Sequence, residues 1–327
     1  MLYNLTKAGQ FLPGQIVEFM MKPAKKPDFF TRLLRLWLLP AVFGIAACPV
    51  PALAGDLPAA RAFSTVKTPS NDTADAIGFY SKGCLAGAKA MPLSASHWQI
   101  LRQSRNRYWG HPVMIAFLQN LAGNAAKTGW RGLLIGDIAQ PRGGPLPFGH
   151  ASHQIGLDAD IWFKPMPARG LSLREREKIG NSSVLKAKSQ ELDPKKWSPA
   201  LTSLLKLAAS DPKTDRIFVN PAVKTYLCRN VEGDKAWLGK IRPYWGHNEH
   251  FHVRLQCPEN AENCRPQAPL PKGNGCDSSL DWWFTAAARA PQTPSSVLTL
   301  KSRNGKRARP KAIMVSDLPG PCARLVE

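Results

Sequence analysis

Five of the seven histidines in this 327-residue chain fall in two short segments, Gly149-His-Ala-Ser-His-Gln-Ile-Gly-Leu-Asp-Ala-Asp160 and Trp245-Gly-His-Asn-Glu-His-Phe-His-Val253. Imidazoles and carboxylates gathered in this way are metal ligands by type. Zinc in a hydrolytic site takes three protein ligands of the His/His/carboxylate kind and keeps a fourth position for water. The two segments together hold that set, with His150, His153, Asp160, His247, His250 and His252 as candidates. Such an ion lowers the pKa of its water from about 15.7 toward roughly 7 and polarises a scissile carbonyl. Amide hydrolysis then requires no serine or cysteine nucleophile, and a β-lactam, which acylates a serine, would not block it. Three potential ligands with a base two residues away rarely coincide by chance.

The elements that position these groups can be read from their neighbours. Phe251-His-Val-Arg-Leu255 is β-branched and aromatic, which predicts a strand over Phe251–Gln256. Residues i and i+2 of a strand share a face and lie about 6.6–6.8 Å apart. One of His250 and His252 can therefore bind an ion while the other stands beside its water as a general base. Asp158 and Asp160 repeat the pattern on a strand expected over Leu157–Phe163. One carboxylate can ligate while the other orients a ligand, or Asp158 can simply face solvent. Alternation alone does not assign these roles. Further strands are expected at Leu133–Ile138 and Ile217–Asn220, the latter running into a helix that starts at Pro221. Two more helices are expected, Pro112 to about Ala126 and Pro199 to about Ala209, the second with Ser198 as N-cap and Pro199 as first helical residue. His97 and His111 stand alone and are read as surface or core residues, and Trp245-Gly-His247 could be no more than a turn.

The ordered pair His153-x6-Asp160 and His250-x-His252 resembles the lysostaphin, D-alanyl-D-alanine metallopeptidase and hedgehog superfamily. More of the chain resembles one family within it. The segments Phe79-Tyr-Ser-Lys-Gly-Cys84, Arg107-Tyr-Trp-Gly-His-Pro112, Leu134-Ile-Gly-Asp137, Gly149-His-Ala-Ser-His-Gln154, Arg216-Ile-Phe-Val-Asn-Pro221 and His252-Val-Arg-Leu-Gln-Cys-Pro258 are similar to the penicillin-insensitive murein endopeptidase (MepA) family. The resemblance implies an α+β fold with an antiparallel β-sheet core, flanking helices and long loops, and a zinc site on the sheet face. It implies hydrolysis of D-alanyl-meso-diaminopimelyl cross-links in peptidoglycan. Carried over by residue, His153, Asp160 and His252 are the zinc ligands, with His150 as a further possible ligand. His250 is the catalytic base, and His247 assists it or the transition state. Some members of the family carry an Asp-Gly-Lys-His segment that can hold a second zinc. The matching stretch here reads Leu185-Lys-Ala-Lys-Ser-Gln-Glu-Leu-Asp-Pro-Lys-Lys-Trp197, so one zinc is expected. Two other functions are compatible with these motifs: a non-catalytic, zinc-containing cell-wall binding protein, and a D,D-carboxypeptidase. The presence of His250 argues against the first, and the open Gly/Pro-rich segment Gln140 to Gly149 argues against the closed site that the second needs.

The N-terminal region predicts export. A basic stretch from Lys22 to Arg35 precedes the apolar run Leu36–Ala47 and the small-residue site Ala52-Leu-Ala54, the pattern of a signal peptide. The apolar run is interrupted by Pro40 and is too short to favour a membrane span, so an integral membrane protein is not expected. A periplasmic location follows, with lipoprotein anchoring at Cys48 as the minor alternative. Removal of residues 1–54 leaves six of seven cysteines, as expected of an exported disulfide framework. Six cysteines allow fifteen pairings. The family resemblance implies Cys84–Cys322, Cys228–Cys276 and Cys257–Cys264. Residues 55–285 are expected to form one peptidase domain and 286–327 a Pro/basic-rich tail pinned by Cys322. The net charge of +21 implies an acidic partner. Without a helix-turn-helix, zinc-finger or RNA-binding motif, peptidoglycan with its stem-peptide carboxylates suits that charge better than nucleic acid. Arg142 and Arg254 are candidates for binding those carboxylates, and Tyr244 and Trp245 for shaping the cleft.

Overall fold

The computed structural model describes residues 57–180, 182–259, 261–289 and 312–327. The expected signal peptide over residues 1–54, Cys48 and the basic stretch Lys301–Lys311 lie outside the described residues. In chain order the strands are β1 Asp75–Phe79, β2 Lys82–Ala86, β3 Lys89–Ala90, β4 Ser94–Ala95, β5 Trp98–Ile100, β6 Trp109–Gly110, β7 Leu133–Ile135, β8 Asp158–Trp162, β9 Thr214–Val219, β10 Ile241–Pro243 and β11 His250–Leu255. The helices are α1 Ala59–Thr65, α2 Pro112–Lys127, α3 Leu173–Lys178, α4 Pro199–Ser210, α5 Pro221–Asn230 and α6 Ala286–Arg289.

The fold is α+β, built on a seven-stranded sheet in the order β10-β9-β11-β8-β7-β5-β4. Its centre is antiparallel, as expected, since β11 pairs antiparallel with both β8 and β9. The flanks differ: β10 runs parallel to β9, and β5 parallel to β7. The sheet is therefore mixed.

Strand alternation divides the central sheet into two faces. Ala159, Ile161, Ile217, Val219, Phe251, Val253 and Leu255 join one core cluster with Met114, Leu118 and Leu121 of α2, Leu201, Leu204 and Leu205 of α4, and Val223 and Leu227 of α5. The helices start where the sequence directs. His111, Ser198 and Asn220 cap α2, α4 and α5 through their side chains, each followed by proline at the first helical position. There the missing N–H costs nothing and φ is already helical. The opposite face carries Asp158, Asp160, His250, His252 and Arg254.

A second, smaller core joins the two ends of the described chain. Phe63 of α1, Ile77 of β1 and Cys84 of β2 pack with Val315, Leu318, Cys322 and Leu325. Cys84–Cys322 bridges it, and Cys228–Cys276 and Cys257–Cys264 complete the framework. Arg142 serves this junction rather than a ligand, donating to the carbonyls of Leu325 at 2.7 Å and Thr68 at 3.3 Å. Among the described residues no helix is long and apolar enough to cross a membrane.

Candidate metal centre

The site is assembled by register. In the β11–β8 pairing His252 lies opposite Asp160, His250 opposite Trp162 and Arg254 opposite Asp158, so directly paired residues point to the same face. The loop before β8 adds His150 and His153. Its path depends on His153, whose φ of 68° is left-handed and costs on the order of 1–3 kcal/mol for a non-glycine residue. That conformation is held from both sides: the His153 amide donates to Oδ2 of Asp158 at 3.1 Å, and Nδ1 lies 2.7 Å from the carbonyl of Ile138. Gly156 makes the following turn at φ 69°, where a Cβ would sit 2.7 Å from the His111 nitrogen. Gln154 ties the loop to the β1–β2 hairpin, accepting from the Gly83 amide and donating to the carbonyls of Ser81 and Ala151.

Hydrogen bonds fix the tautomers. A carbonyl can only accept, so Nδ1 of His153 carries the proton toward Ile138 and Nε2 keeps its lone pair. Nε2 of His252 lies 2.9 Å from Oδ1 of Asp158, which likewise places that proton on Nε2 and leaves Nδ1 bare. Both bare nitrogens face one carboxylate oxygen: Oδ1 of Asp160 is 3.1 Å from Nδ1 of His252 and 3.4 Å from Nε2 of His153. His150 reaches the other oxygen, Oδ2, at 3.0 Å through Nε2. Nε2 of His153, Oδ1 of Asp160 and Nε2 of His250 are buried and make no hydrogen bond. Lone pairs converging on an anion in a dry site repel unless a proton or a metal ion sits among them. His150, His153, Asp160 and His252 offer one ligand atom each, all within 4.8 Å of one another, and this donor set fits a metal ion.

Charges around the cluster support the same reading. Burial alone would raise the Asp158 carboxyl, but Arg254 and His252 hold it far below the ordinary carboxylate range. Asp160 is also held low, against burial, by the surrounding histidines. Burial would lower His153, yet Asp160 outweighs it and raises the imidazole to about 9, so a proton and a metal ion compete for the same pocket. Burial pushes His150 down to about 4 and His247 to about 3, and lowers His250. These three are neutral at pH 7, whereas His153 must give up a proton for a metal ion to bind.

All six predicted histidine and carboxylate candidates come together. His247 and His250 form, with His150, an outer group whose ligand atoms also lie within 4.8 Å of one another. Asp158 proves to be a buried partner of His252 and not a solvent-facing residue. Arg254 borders the cleft with its guanidinium already engaged: it is 6% exposed, donates to both oxygens of Asp158 at 2.7 and 3.2 Å, and lies over the Tyr80 ring at 4.0 Å. His111 caps α2 through Nδ1, and His97 is exposed. Tyr244 and Trp245 line a cleft of about 500 Å³ with Phe218, His150, His247 and His250. Sequence reasoning gave no role to the carbonyl of Ile138, which no side-chain pattern announces, or to Asp137 and Arg107, which form a buried 2.7 Å ion pair beside the site. A signal for that pair was present in two of the quoted motifs, each placing one charge beside a strand.

A family model described as penicillin-insensitive murein endopeptidase matches residues 76–327. A penicillin-insensitive murein endopeptidase of Haemophilus influenzae is 47% identical over 217 residues, 66% of this chain and 76% of that protein. One of Klebsiella pneumoniae is 41% identical over 240 residues, covering 73% and 87%, and one of Yersinia enterocolitica is 35% identical over 294 residues, covering 90% and 98%. The match spans the hairpin, both histidine segments and the C-terminal cysteine, so the fold that builds the centre and the centre itself are similar to these proteins together, and this chain belongs to the penicillin-insensitive murein endopeptidase family.

Proposed function

We propose that this chain is a zinc-dependent endopeptidase that hydrolyses D-alanyl-meso-diaminopimelyl cross-links in peptidoglycan. The observation that carries the reading is the convergence of bare imidazole nitrogens of His153 and His252 on Asp160, in a cleft open to a polymer. Those three residues would hold the ion, with the more exposed His150 as a further ligand or as the residue that steadies Asp160. The ion, when bound, supplies Lewis acidity to the scissile carbonyl and to the attacking water. His250, kept neutral by burial, accepts the water's proton and passes it to the departing amine. His247 lies with its ring centroid 5.2 Å from that of His250. Its Nδ1 is 3.1 Å from the carbonyl of Trp245, which puts the proton there and leaves Nε2 an acceptor. This supports a role in relaying the proton beside His250 more than donation to an oxyanion.

A single zinc is the expected content. Asp158 and Ile138 give the inner group the outer partners that orient metal ligands, whereas in the outer group His247 and His250 are used for proton transfer and His150 is shared with the inner group. The leader of residues 1–54 and three disulfides support export to the periplasm. The test is digestion of purified cross-linked muropeptide dimers, read by mass, with penicillin or a chelator present. Conversion to monomers that penicillin spares and the chelator abolishes is expected. Loss of only terminal D-alanine would replace the reading with a carboxypeptidase, and intact dimers beside a zinc-loaded protein would replace it with a binding protein.

A further inference from the structure

Two recesses meet at His150 and His250. On one side lies the Tyr244 and Trp245 cleft. On the other is a recess of about 60 Å³ lined by Arg102, Arg105, Gly136, Asp137 and Trp162 together with Asp160. It is small beside the cleft, about 60 Å³ against about 500 Å³, and suits a small charged group better than a stem peptide. Its charge is set by two guanidiniums sharing one acid. Arg107, 3% exposed, donates to Oδ2 of Asp137 at 2.7 Å, while Arg105, 29% exposed, lies 3.6 Å from that same oxygen. Arg107 thus neutralises Asp137, and Arg105 keeps donors for the recess. Arg102 lies 5.2 Å over the Trp162 ring, and burial and the neighbouring Arg105 cation push its pKa down while Asp137, Glu249 and Glu177 partly offset them.

The segment that carries Arg105 is held in place. Arg102 and Asn106, on either side of it, have left-handed φ values of 51° and 53°, which non-glycine residues adopt at a cost and which gather at functional sites. The surrounding fold enforces them. The Arg102 amide donates to the Arg176 carbonyl at 3.1 Å. The Ser104 amide and hydroxyl both donate to the Glu177 carboxylate at 2.8 Å. The Asn106 side chain donates to the Lys67 carbonyl at 3.0 Å. Arg105 also lies 5.3 Å over the ring of Phe148, two residues from His150. A cation fixed in this way at the rim of the reacting centre is preorganised for an anion.

We infer that Arg105 is a specificity residue that binds the carboxylate borne by the carbon attached to the scissile amide nitrogen. The inference rests on the peptidoglycan reading above, since a D,D cross-link carries such a carboxylate next to the bond that breaks. The small recess then reads this group, and the larger cleft takes the acyl side of the cross-link.

The experiment compares two dimers that differ only in whether that carboxylate is free or amidated, with wild type, Arg105→Ala and Arg105→Lys. Wild type should cleave the free acid with kcat/KM about 10–100-fold higher, the range for one hydrogen-bonded charge pair. Arg105→Ala should lose about that factor on the free acid, mainly in KM, and nothing comparable on the amide, and Arg105→Lys should recover part of the preference. An equal loss on both dimers, or a wild type indifferent to amidation, would overturn the assignment while leaving the endopeptidase reading intact. A wild type that cleaved neither dimer would remove both.

Discussion

Along β8 and β11, alternate residues face different surroundings. Ala159, Ile161, Phe251, Val253 and Leu255 are all 0% exposed and sit among the aliphatic side chains of α2, α4 and α5. Asp158, Asp160, His252 and Arg254 are nearly as buried, at 0, 4, 2 and 6%, but they face one another. On the apolar face burial itself is favourable, at roughly 25 cal/mol for each Å² removed from water. On the polar face burial is unfavourable, and each group there requires a partner. Asp158 has its partners in Arg254, His252 and the His153 amide. Asp160 faces the ring nitrogens of His150, His153 and His252, where a proton on His153 or a metal ion can balance its charge. The same strands thus hold a finished core on one side and a polar centre that fits a metal ion on the other.

Substitutions should separate the two faces. The largest effect falls on the polar face: Asp160→Ala should lose the metal and at least about 1000-fold in turnover while remaining folded by circular dichroism. Lewis acidity is worth several kcal/mol, and about 1.4 kcal/mol is tenfold in rate. Unfolding of this variant would break the comparison. Phe251→Ala should do the opposite, costing about 3–5 kcal/mol in denaturant melts while the folded fraction keeps its metal affinity. Asp158→Asn sharpens the contrast, because it leaves the ligands in place but weakens the orientation of His252. A competition titration should show metal affinity lower by about 10–100-fold.

The smallest expected effect concerns a polar group on the helical side. Lys224 of α5 is fully buried, donates to the carbonyls of Leu238 and Asn274, and is pushed down to about 7 by burial, with Arg242 adding to the shift. Its pKa is lower folded than unfolded, so above pH 7 the unfolded chain binds more protons. Its contribution is complete above about pH 10.5 and is lost as pH falls toward 7. Wild type should gain about 1 kcal/mol on Lys224→Met between pH 7 and pH 8, measured from paired unfolding curves. A difference that is flat with pH would place a charged partner near Lys224.

Much of the centre was legible because strand periodicity and ligand chemistry are local. His250, His252, Asp158 and Asp160 fall two apart on strands found within a residue or two of their expected limits, and the proline-started helices α2, α4 and α5 begin where expected. Which carboxylate joins His150 and His153 was not legible from alternation, because it depends on Arg254 meeting Asp158 across the register. The β1–β2 hairpin was missed because glycines at 78 and 83 interrupt its apolar pattern. The two-residue β4 and three-residue β5 have too little sequence to show a period, and they exist because neighbouring strands satisfy their backbone. The pairing of the Arg254 cation with Asp158 and Tyr80 was missed for a related reason: it is visible only in three dimensions.

The most direct test of the central claim is zinc content and turnover measured together on wild type, His252→Ala and His250→Ala, with cross-linked dimers as substrate. The account predicts about one zinc per chain in wild type. It predicts loss of zinc and turnover together in His252→Ala, and in His250→Ala retained zinc with turnover reduced about 100-fold or more. Normal hydrolysis by His250→Ala, or full zinc in His252→Ala, would contradict the assignment of base and ligand to the two histidines of β11.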